Sequence, residues 1–156
     1  MTVGKFTITA DAGGTIAWRK LILGVASSTG VTATGWGIYD AADESTVLTG
    51  SSAHQNVSST TVTILSTGDQ EISGSKTYIV KATIGSPLTT GWSLSVNIPN
   101  SAIFAAPDTY AAAAAVTTNN FVWSDESVIG HSATTADWMG NYLVKNTPTD
   151  SQTLTK

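Results

Sequence analysis

Residues 77–84 read Thr-Tyr-Ile-Val-Lys-Ala-Thr-Ile, and residues 92–98 read Trp-Ser-Leu-Ser-Val-Asn-Ile. Successive side chains of a strand point to opposite faces, so a period of two marks a half-buried strand. Tyr78, Val80, Ala82 and Ile84 alternate with Thr77, Ile79, Lys81 and Thr83; Trp92, Leu94, Val96 and Ile98 alternate with Ser93, Ser95 and Asn97. The turn-rich Gly85-Ser86-Pro87 leads us to expect the two runs to form an antiparallel pair. Pro99, which has no N–H to give a ladder, closes the second run.

Working outward, the same alternation recurs. Phe6, Ile8 and Ala10 share one face of a first strand, which Asp11-Ala12-Gly13-Gly14 turns. In the run from Thr15 to Ala26, Leu21, Leu23 and Val25 share a face, whereas Trp18 falls in the opposite phase with Ile16 and Ile22. Apolar side chains on both faces indicate a central strand, or a bulge near Trp18 that shifts the register. A third strand carries Trp36 and Ile38, and Asp40 to Ser45 closes it with polar turn formers. Residues 46–48 fit at most a short edge strand, and residues 50–59 read as a solvated loop. A strand with Val62 and Ile64 aligned precedes a turn at Thr67-Gly68-Asp69.

Residues 110–116 hold five consecutive alanines. Alanine favours helix, but an isolated helix under roughly 12 residues is marginal in water. We therefore expect a linker or a small-residue strand there. Phe121-Val122-Trp123 and residues 138–145 continue the strand pattern, with Tyr142 and Val144 in one phase, and residues 147–156 read as a polar tail or last edge strand. Seven to nine short strands with turn signals every 8 to 12 residues describe an all-β chain folded as an antiparallel β-sandwich. One domain over residues 1–156 suits this length.

Composition agrees. The chain has 26 Thr and 18 Ser, and charged residues make up only 12% of it. With 7 Lys plus Arg against 11 Asp plus Glu, the net charge is −4. That excludes a nucleic-acid partner held by phosphate neutralisation, which needs a basic face. No stretch approaches the roughly 20 apolar residues of a membrane-spanning helix, so membrane insertion is not expected. A start at Met1-Thr2-Val3 that runs at once into a strand, with no basic leader, suggests a domain excised from a longer parent. Zero cysteines excludes disulfides, thiolate metal sites and cysteine nucleophiles. Low charge and Ser/Thr-rich loops favour an extracellular or cell-surface setting.

Few residues suggest chemistry. His54 and His131 are the only histidines. Gly130-His131-Ser132 resembles the start of a nucleophile elbow, but Thr134 stands where that motif needs glycine. A triad of Ser132, His131 and Asp125 or Asp137 is arithmetically available, though geometry and not sequence proximity defines a triad. We expect a hydrogen-bonded loop histidine instead, no catalytic residues and no enzyme activity. Calcium is the one cofactor the acids suggest, through Asp40, Asp43 and Glu44 in one loop and Asp125 in another, since hard oxygen ligands suit that ion. Acids that cap turns explain the same residues.

Five tryptophans are many for this length. A row of exposed aromatic side chains, drawn from Trp18, Trp123, Trp138 and Tyr142, would stack on sugar rings and make polysaccharide a partner. The competing account packs Trp36 and Trp92 in the core and has Trp123 and Trp138 clamp the C-terminal loops. Lys5, Glu126 and Asn141 or Asn146 occur in the order of a self-formed isopeptide crosslink, although Lys5 lies on the polar phase of its strand. Asn56-Val57-Ser58 matches the glycosylation sequon.

Phe121-Val122-Trp123-Ser124-Asp125, His131-Ser132, Thr135-Ala136-Asp137-Trp138, Tyr142-Leu143-Val144-Lys145 and Pro148-Thr149-Asp150-Ser151-Gln152 follow one another in order. This succession resembles the end of a domain found in large surface proteins of candidate-phylum (Parcubacteria-like) bacteria. Lys5-Phe6-Thr7 and Ile16-Ala17-Trp18-Arg19-Lys20-Leu21 are similar to its opening, so the resemblance spans nearly the whole chain. It implies an immunoglobulin-like, extracellular, non-catalytic module with no established ligand. The expected function is thus a structural or adhesive module of a bacterial cell-surface protein, whose partners are neighbouring domains or subunits of that protein. A carbohydrate-binding module and a self-assembling surface-filament subunit are the alternatives.

Overall fold

The run that begins at Thr15 becomes the spine of the molecule. In the computed structural model, which describes residues 1–11, 14–49, 56–57, 60–85, 90–100 and 106–156, it forms a long strand, β2 (Thr15–Ser27). It follows β1 (Thr2–Thr9) and precedes β3 (Thr32–Asp40), β4 (Asp43–Val47), β5 (Asn56–Val57), β6 (Thr61–Ser73), β7 (Ser75–Gly85) and β8 (Ser93–Asn97). A short helix, α1 (Tyr110–Ala115), then leads to β9 (Phe121–Ser124), β10 (Trp138–Gly140) and β11 (Gln152–Thr155). Four strands form one antiparallel sheet in the order β1-β7-β3-β4. In the other, β10-β9-β2-β6-β5 are extended by β8, which pairs with the second half of β2, and by β11 outside β8.

The all-β sandwich therefore holds, with eleven strands among the described residues where seven to nine were expected. The surplus lies in short pieces such as β5 and β10, too brief to show a period. The two sheets close on one core containing Trp18, Leu21, Leu23, Trp36, Ile38, Tyr78, Val80, Leu94 and Val96. Phe6, Ile8 and Ile84 pack against it while partly exposed.

β2 is both central and bulged. Its pairing slips between Trp18 and Lys20 against β6 on one side and β9 on the other, leaving Arg19 out of both ladders. An extra residue in a strand inverts the side-chain phase beyond it. This is how Trp18 enters the same core as Leu21 and Leu23. Its indole N–H donates 3.0 Å to the Tyr78 hydroxyl of the opposite sheet, with the rings edge-on at 5.2 Å.

Several expectations are corrected. The 77–84 and 92–98 runs are not a hairpin: β7 lies between β1 and β3, whereas β8 lies in the other sheet beside β2. Alternation fixes which face is buried but carries no information about which neighbour completes the ladder. The intervening residues 86–89 lie outside the described residues, as do Ala12 and Gly13 of the first expected turn and most of the loop expected at 50–59; Asn56–Val57 pairs with β6. The turn expected at Thr67-Gly68-Asp69 is a bulge inside β6, where Ser66 to Asp69 stand opposite the single Arg19. The turn after Asp40 is shorter than expected, and β4 begins already at Asp43. The strand expected over 138–145 stops at Gly140, because Asn141 and Leu143 take left-handed backbone angles of 57° and 56°. The alanine run is a helix, not a linker or strand. Thr109 caps its first turn by accepting from the Ala112 N–H, Ala113 is buried, and Lys20 Nζ donates to the Ala114 and Val116 carbonyls at 2.8 and 3.1 Å. Tertiary contacts supply what a six-residue helix lacks by itself.

Within residues 147–156, expected as a polar tail or last edge strand, Gln152–Thr155 form β11 and pair with β8. Gln152 opens β11, and its side-chain amide reaches across to β1, accepting from the Lys5 N–H at 2.8 Å and donating to the Lys5 carbonyl at 2.5 Å. The amide thus stands in for one peptide unit of a missing strand, at an edge that would otherwise present bare N–H and C=O groups. Gln152→Ala is expected to cost about 1 kcal/mol, the net worth of such a bond pair in a solvated setting. Urea denaturation checks this; an unchanged midpoint would show that water replaces the amide at no cost.

Candidate functional site

Chemistry-bearing side chains converge where the two bulges meet the β9–β10 loop and α1. The β2 bulge presents Arg19 and the β6 bulge presents Asp69, and the Arg19 Nε–H donates to Asp69 Oδ1. The guanidinium also lies over the rings of Tyr110 and Trp138, 5.3 and 5.4 Å from their centroids. Guanidinium groups favour such aromatic faces because they are planar and weakly hydrated. Tyr110 sits edge-on to Trp138 at 5.2 Å. Burial pushes the Tyr110 hydroxyl above its ordinary pKa.

His131 joins this group from the β9–β10 loop. Its ring lies 5.1 Å from Trp138, Nδ1 is 2.9 Å from the buried Asp137 carboxylate, and Nε2 is 3.7 Å from Asp69 Oδ2. Asp137 also accepts from the Thr135 hydroxyl at 2.7 Å. Burial pushes Asp137 up, but the hydrogen bonds from Thr135 and His131, with the His131 charge and the Val128 N–H, together outweigh it, and the carboxyl ends below its ordinary pKa. Glu126, held at a left-handed φ of 53°, is shifted the other way: burial first, then the nearby charges of Glu71, Asp69 and Asp137, raise it, against the lowering influence of His131.

The signs of these shifts make a pH prediction. Asp137 contributes stability above the ordinary aspartate range and loses it as pH falls through its depressed value. Ionised Glu126 instead costs stability above its raised value, and the cost vanishes as pH falls below the ordinary glutamate range. Glu126→Gln should therefore be the more stable protein at pH 7, by roughly 0.5 kcal/mol after screening, and should lose that advantage below about pH 4. Melts of both proteins across that range check it; a constant difference would place the Glu126 carboxyl outside the influence of the other acids.

The arrangement does not assemble a nucleophile. In a triad the acid holds one imidazole nitrogen and the hydroxyl stands at the other. Here the second nitrogen faces Asp69, which Arg19 already holds. The Ser132 hydroxyl pairs with Thr134 Oγ1 at 3.0 Å and accepts from the Thr134 N–H, while Asp125 accepts from the Ser127 N–H. The Ser124 hydroxyl approaches His131 at 3.5 Å, but on the same Nδ1 that Asp137 occupies. His54 and the sequon Asn56-Val57-Ser58 lie outside the residues whose side chains are described.

The calcium candidates are dispersed. Asp40 caps the β3–β4 turn through the Ala42 N–H, which with the Lys76 ammonium draws its pKa down, and Asp43 accepts from Ser45, whose hydroxyl does most to hold that carboxyl at about 2. Glu44 pairs with Lys81 at 2.8 Å, and Asp125 belongs to the β9–β10 loop. Among the described residues no three His, Asp or Glu side chains converge as a metal cage would.

The sugar-stacking candidates divide. Trp18 and Trp138 are fully buried, and Trp36 and Trp92 nearly so. Trp123 is half-buried and donates 2.9 Å to the Tyr142 carbonyl, while Trp138 donates 2.9 Å to the Ser132 carbonyl, so both clamp C-terminal loops. Tyr142 is 41% exposed and, with Asn141, Leu143, Lys145 and Thr147, borders a shallow open groove. The crosslink candidates are separate: Lys5 is exposed on β1, Glu126 belongs to the His131 group, and the Asn141 amide bonds the backbone at Phe121 and Thr118.

Sequence reasoning missed Arg19, Lys20 and Asp69. For Arg19 and Lys20 the signal was two adjacent cations inside the apolar run from Trp18 to Leu23, whereas Asp69 stood only as the end of an expected turn. Lys20 is 4% exposed, and burial lowers its pKa. No family model matches the chain, and neither a curated protein nor a solved structure matches it.

Proposed function

We propose that this chain is a non-catalytic structural or adhesive module of a bacterial cell-surface protein, built on an immunoglobulin-like plan and partnered by neighbouring domains or subunits. One observation carries the reading: the group that most resembles reaction machinery is consumed internally. His131 sits between Asp137 and Asp69, Asp69 is held by Arg19, and Arg19 is flanked by Tyr110 and Trp138, so the chain of contacts ties three strands, a helix and a loop together. Such a network fastens the β9–β10 loop to the sandwich. A module that bears load or presents a surface needs that rigidity, and a catalyst would need the His131 Nε2, which is buried and faces Asp69, opened to substrate.

Two measurements test this. Wild type and His131→Ala are expected to hydrolyse an activated nitrophenyl ester at the same background rate, and turnover lost with the histidine would overturn the non-catalytic reading. Antibody labelling of intact source cells should mark the envelope; label confined to the cell interior would overturn the surface reading. Melting unchanged by chelation is expected of a domain stabilised by its core, and a large fall would put calcium in its place.

Carbohydrate binding survives in a narrower form, favoured by the exposed Tyr142 beside the half-buried Trp123. Aromatic faces stack on sugars without needing a deep pocket. Quenching of tryptophan fluorescence by a polysaccharide, abolished in Tyr142→Ala, would support this reading, and no polysaccharide response would remove it.

A further inference from the structure

The C-terminal strand is attached in an unusual way. From Thr149 to Lys156 it is tied to the β8 side by backbone bonds: Thr149 N–H to the Ile98 carbonyl, the β11–β8 ladder, and Lys156 N–H to the Trp92 carbonyl. Leu154 is its partly buried apolar anchor, packed against the core. The contact is therefore mostly ladder, which any identical strand reproduces.

The connection to this strand is strained. Between the end of β10 and Thr149, the non-glycine residues Asn141, Leu143 and Asn146 all adopt left-handed backbone angles, of 57°, 56° and 61°. The side chain of Asn141 offsets its own conformation by bonding the backbone at Phe121 and Thr118. Leu143 lies in a turn closed by the Val144 N–H on the Asn141 carbonyl at 3.2 Å, but its own side chain, 68% exposed, is of a type that the left-handed region disfavours. Extended instead, residues 141–148 would reach roughly 26 Å at about 3.3 Å per residue, enough to carry the strand to a second molecule.

We propose that the strand comprising residues 149–156 exchanges between copies of this chain, so that β11 of one molecule completes the β8 edge of another. Exchange re-forms every β8–β11 bond, and the Gln152 bonds to Lys5 of β1, in trans, so those contacts cancel between the closed and exchanged forms. What remains is the hinge: extension releases the Asn141, Tyr142 and Lys145 hydrogen bonds and the Val144 packing and relieves the left-handed leucine, and exchange follows where the relief outweighs them, as strained hinge segments favour. The occupant of the β8 edge is thus a second copy of this same strand. The inference concerns the chain's own assembly and does not depend on where the protein works.

The absence of cysteine makes the test clean. Thr153 faces Ser95, and the flanking hydrogen-bonded pairs place them at a non-hydrogen-bonded position, where side chains are closest. The double variant Ser95→Cys/Thr153→Cys should close within one chain on oxidation, which verifies the register. The single variants Ser95→Cys and Thr153→Cys, made in chains of different mass and mixed at high concentration, should form a mixed disulfide. Its yield should exceed by about tenfold that of Ser95→Cys mixed with Ser127→Cys, whose cysteine lies in the β9–β10 loop away from β8. Leu143→Gly in both partners should lower the mixed yield about fivefold by relaxing the closed hinge. A closed double variant with no mixed disulfide above the loop control overturns the exchange. A mixed disulfide insensitive to Leu143→Gly overturns the role given to hinge strain.

Discussion

Trp18→Ala should be destabilised by about 3–5 kcal/mol, the range for removing a large aromatic side chain from a packed interior. Trp18 is 0% exposed and sits where the two sheets meet. Its ring lies edge-on to Tyr78 of the four-stranded sheet and stacks at 5.9 Å on Phe121 of the other. Removing it opens a cavity between the sheets and leaves the Tyr78 hydroxyl without its indole donor. Trp18→Phe separates these losses. It keeps most of the volume and still breaks the hydrogen bond, so its cost should fall nearer 1–2 kcal/mol, in line with an orphaned buried polar group. Urea unfolding with a constant slope reads both values. Equal costs for alanine and phenylalanine would mean that the hydrogen bond, and not the packing, holds the sheets at this point.

The same tryptophan shows how far the sequence could be read. Its wrong phase relative to Leu21 and Leu23 pointed to a bulge, and the bulge is there, because a buried indole on the wrong face costs more than a break in the ladder. Faces were legible in this way along the longer strands, though not over 138–145, where the strand stops at Gly140. Pairing partners were not: β7 and β8 alternate as cleanly as any two strands, yet they lie in different sheets, since the choice between neighbours rests on contacts distant in sequence. The alanine run was misread because its helix depends on Lys20, 94 residues away from the Ala114 carbonyl that it caps.

The candidate site was only half legible for the same reason. His131 and Asp137 lie six residues apart, and the text of one loop suggests their bond. Arg19 and Asp69 are 50 residues apart, and each is displayed only because a bulge turns it out of its ladder. The sequence therefore offered a histidine with a nearby acid and serine, which resembles a catalytic beginning. In the fold the remaining nitrogen is buried and faces a second acid, Asp69 at 3.7 Å, with no hydrogen-bond partner of its own among the described residues.

Gly140→Ala should have an effect of similar size to the loss of Trp18, through crowding instead of a cavity. A Cβ added at Gly140 would stand 2.0 Å from the side-chain amide carbon and nitrogen of Asn119. Asn119 is 1% exposed, and its Nδ2 donates 2.9 Å to the Ala113 carbonyl in the last turn of α1. The methyl group can be accommodated only by displacing this amide, so the cost combines overpacking, about 1–3 kcal/mol, with a buried carbonyl left unpaired, about 1–3 kcal/mol more. The helix should loosen with it, because that amide and Lys20 both hold carbonyls near its C-terminus. A double-mutant cycle separates the two contributions. Asn119→Ala alone loses the hydrogen bond, and adding Gly140→Ala to it should then cost well under the single substitution, since the amide that blocked the methyl group is gone. Strictly additive costs would place the crowding somewhere other than Asn119 and leave the glycine at 140 without this explanation.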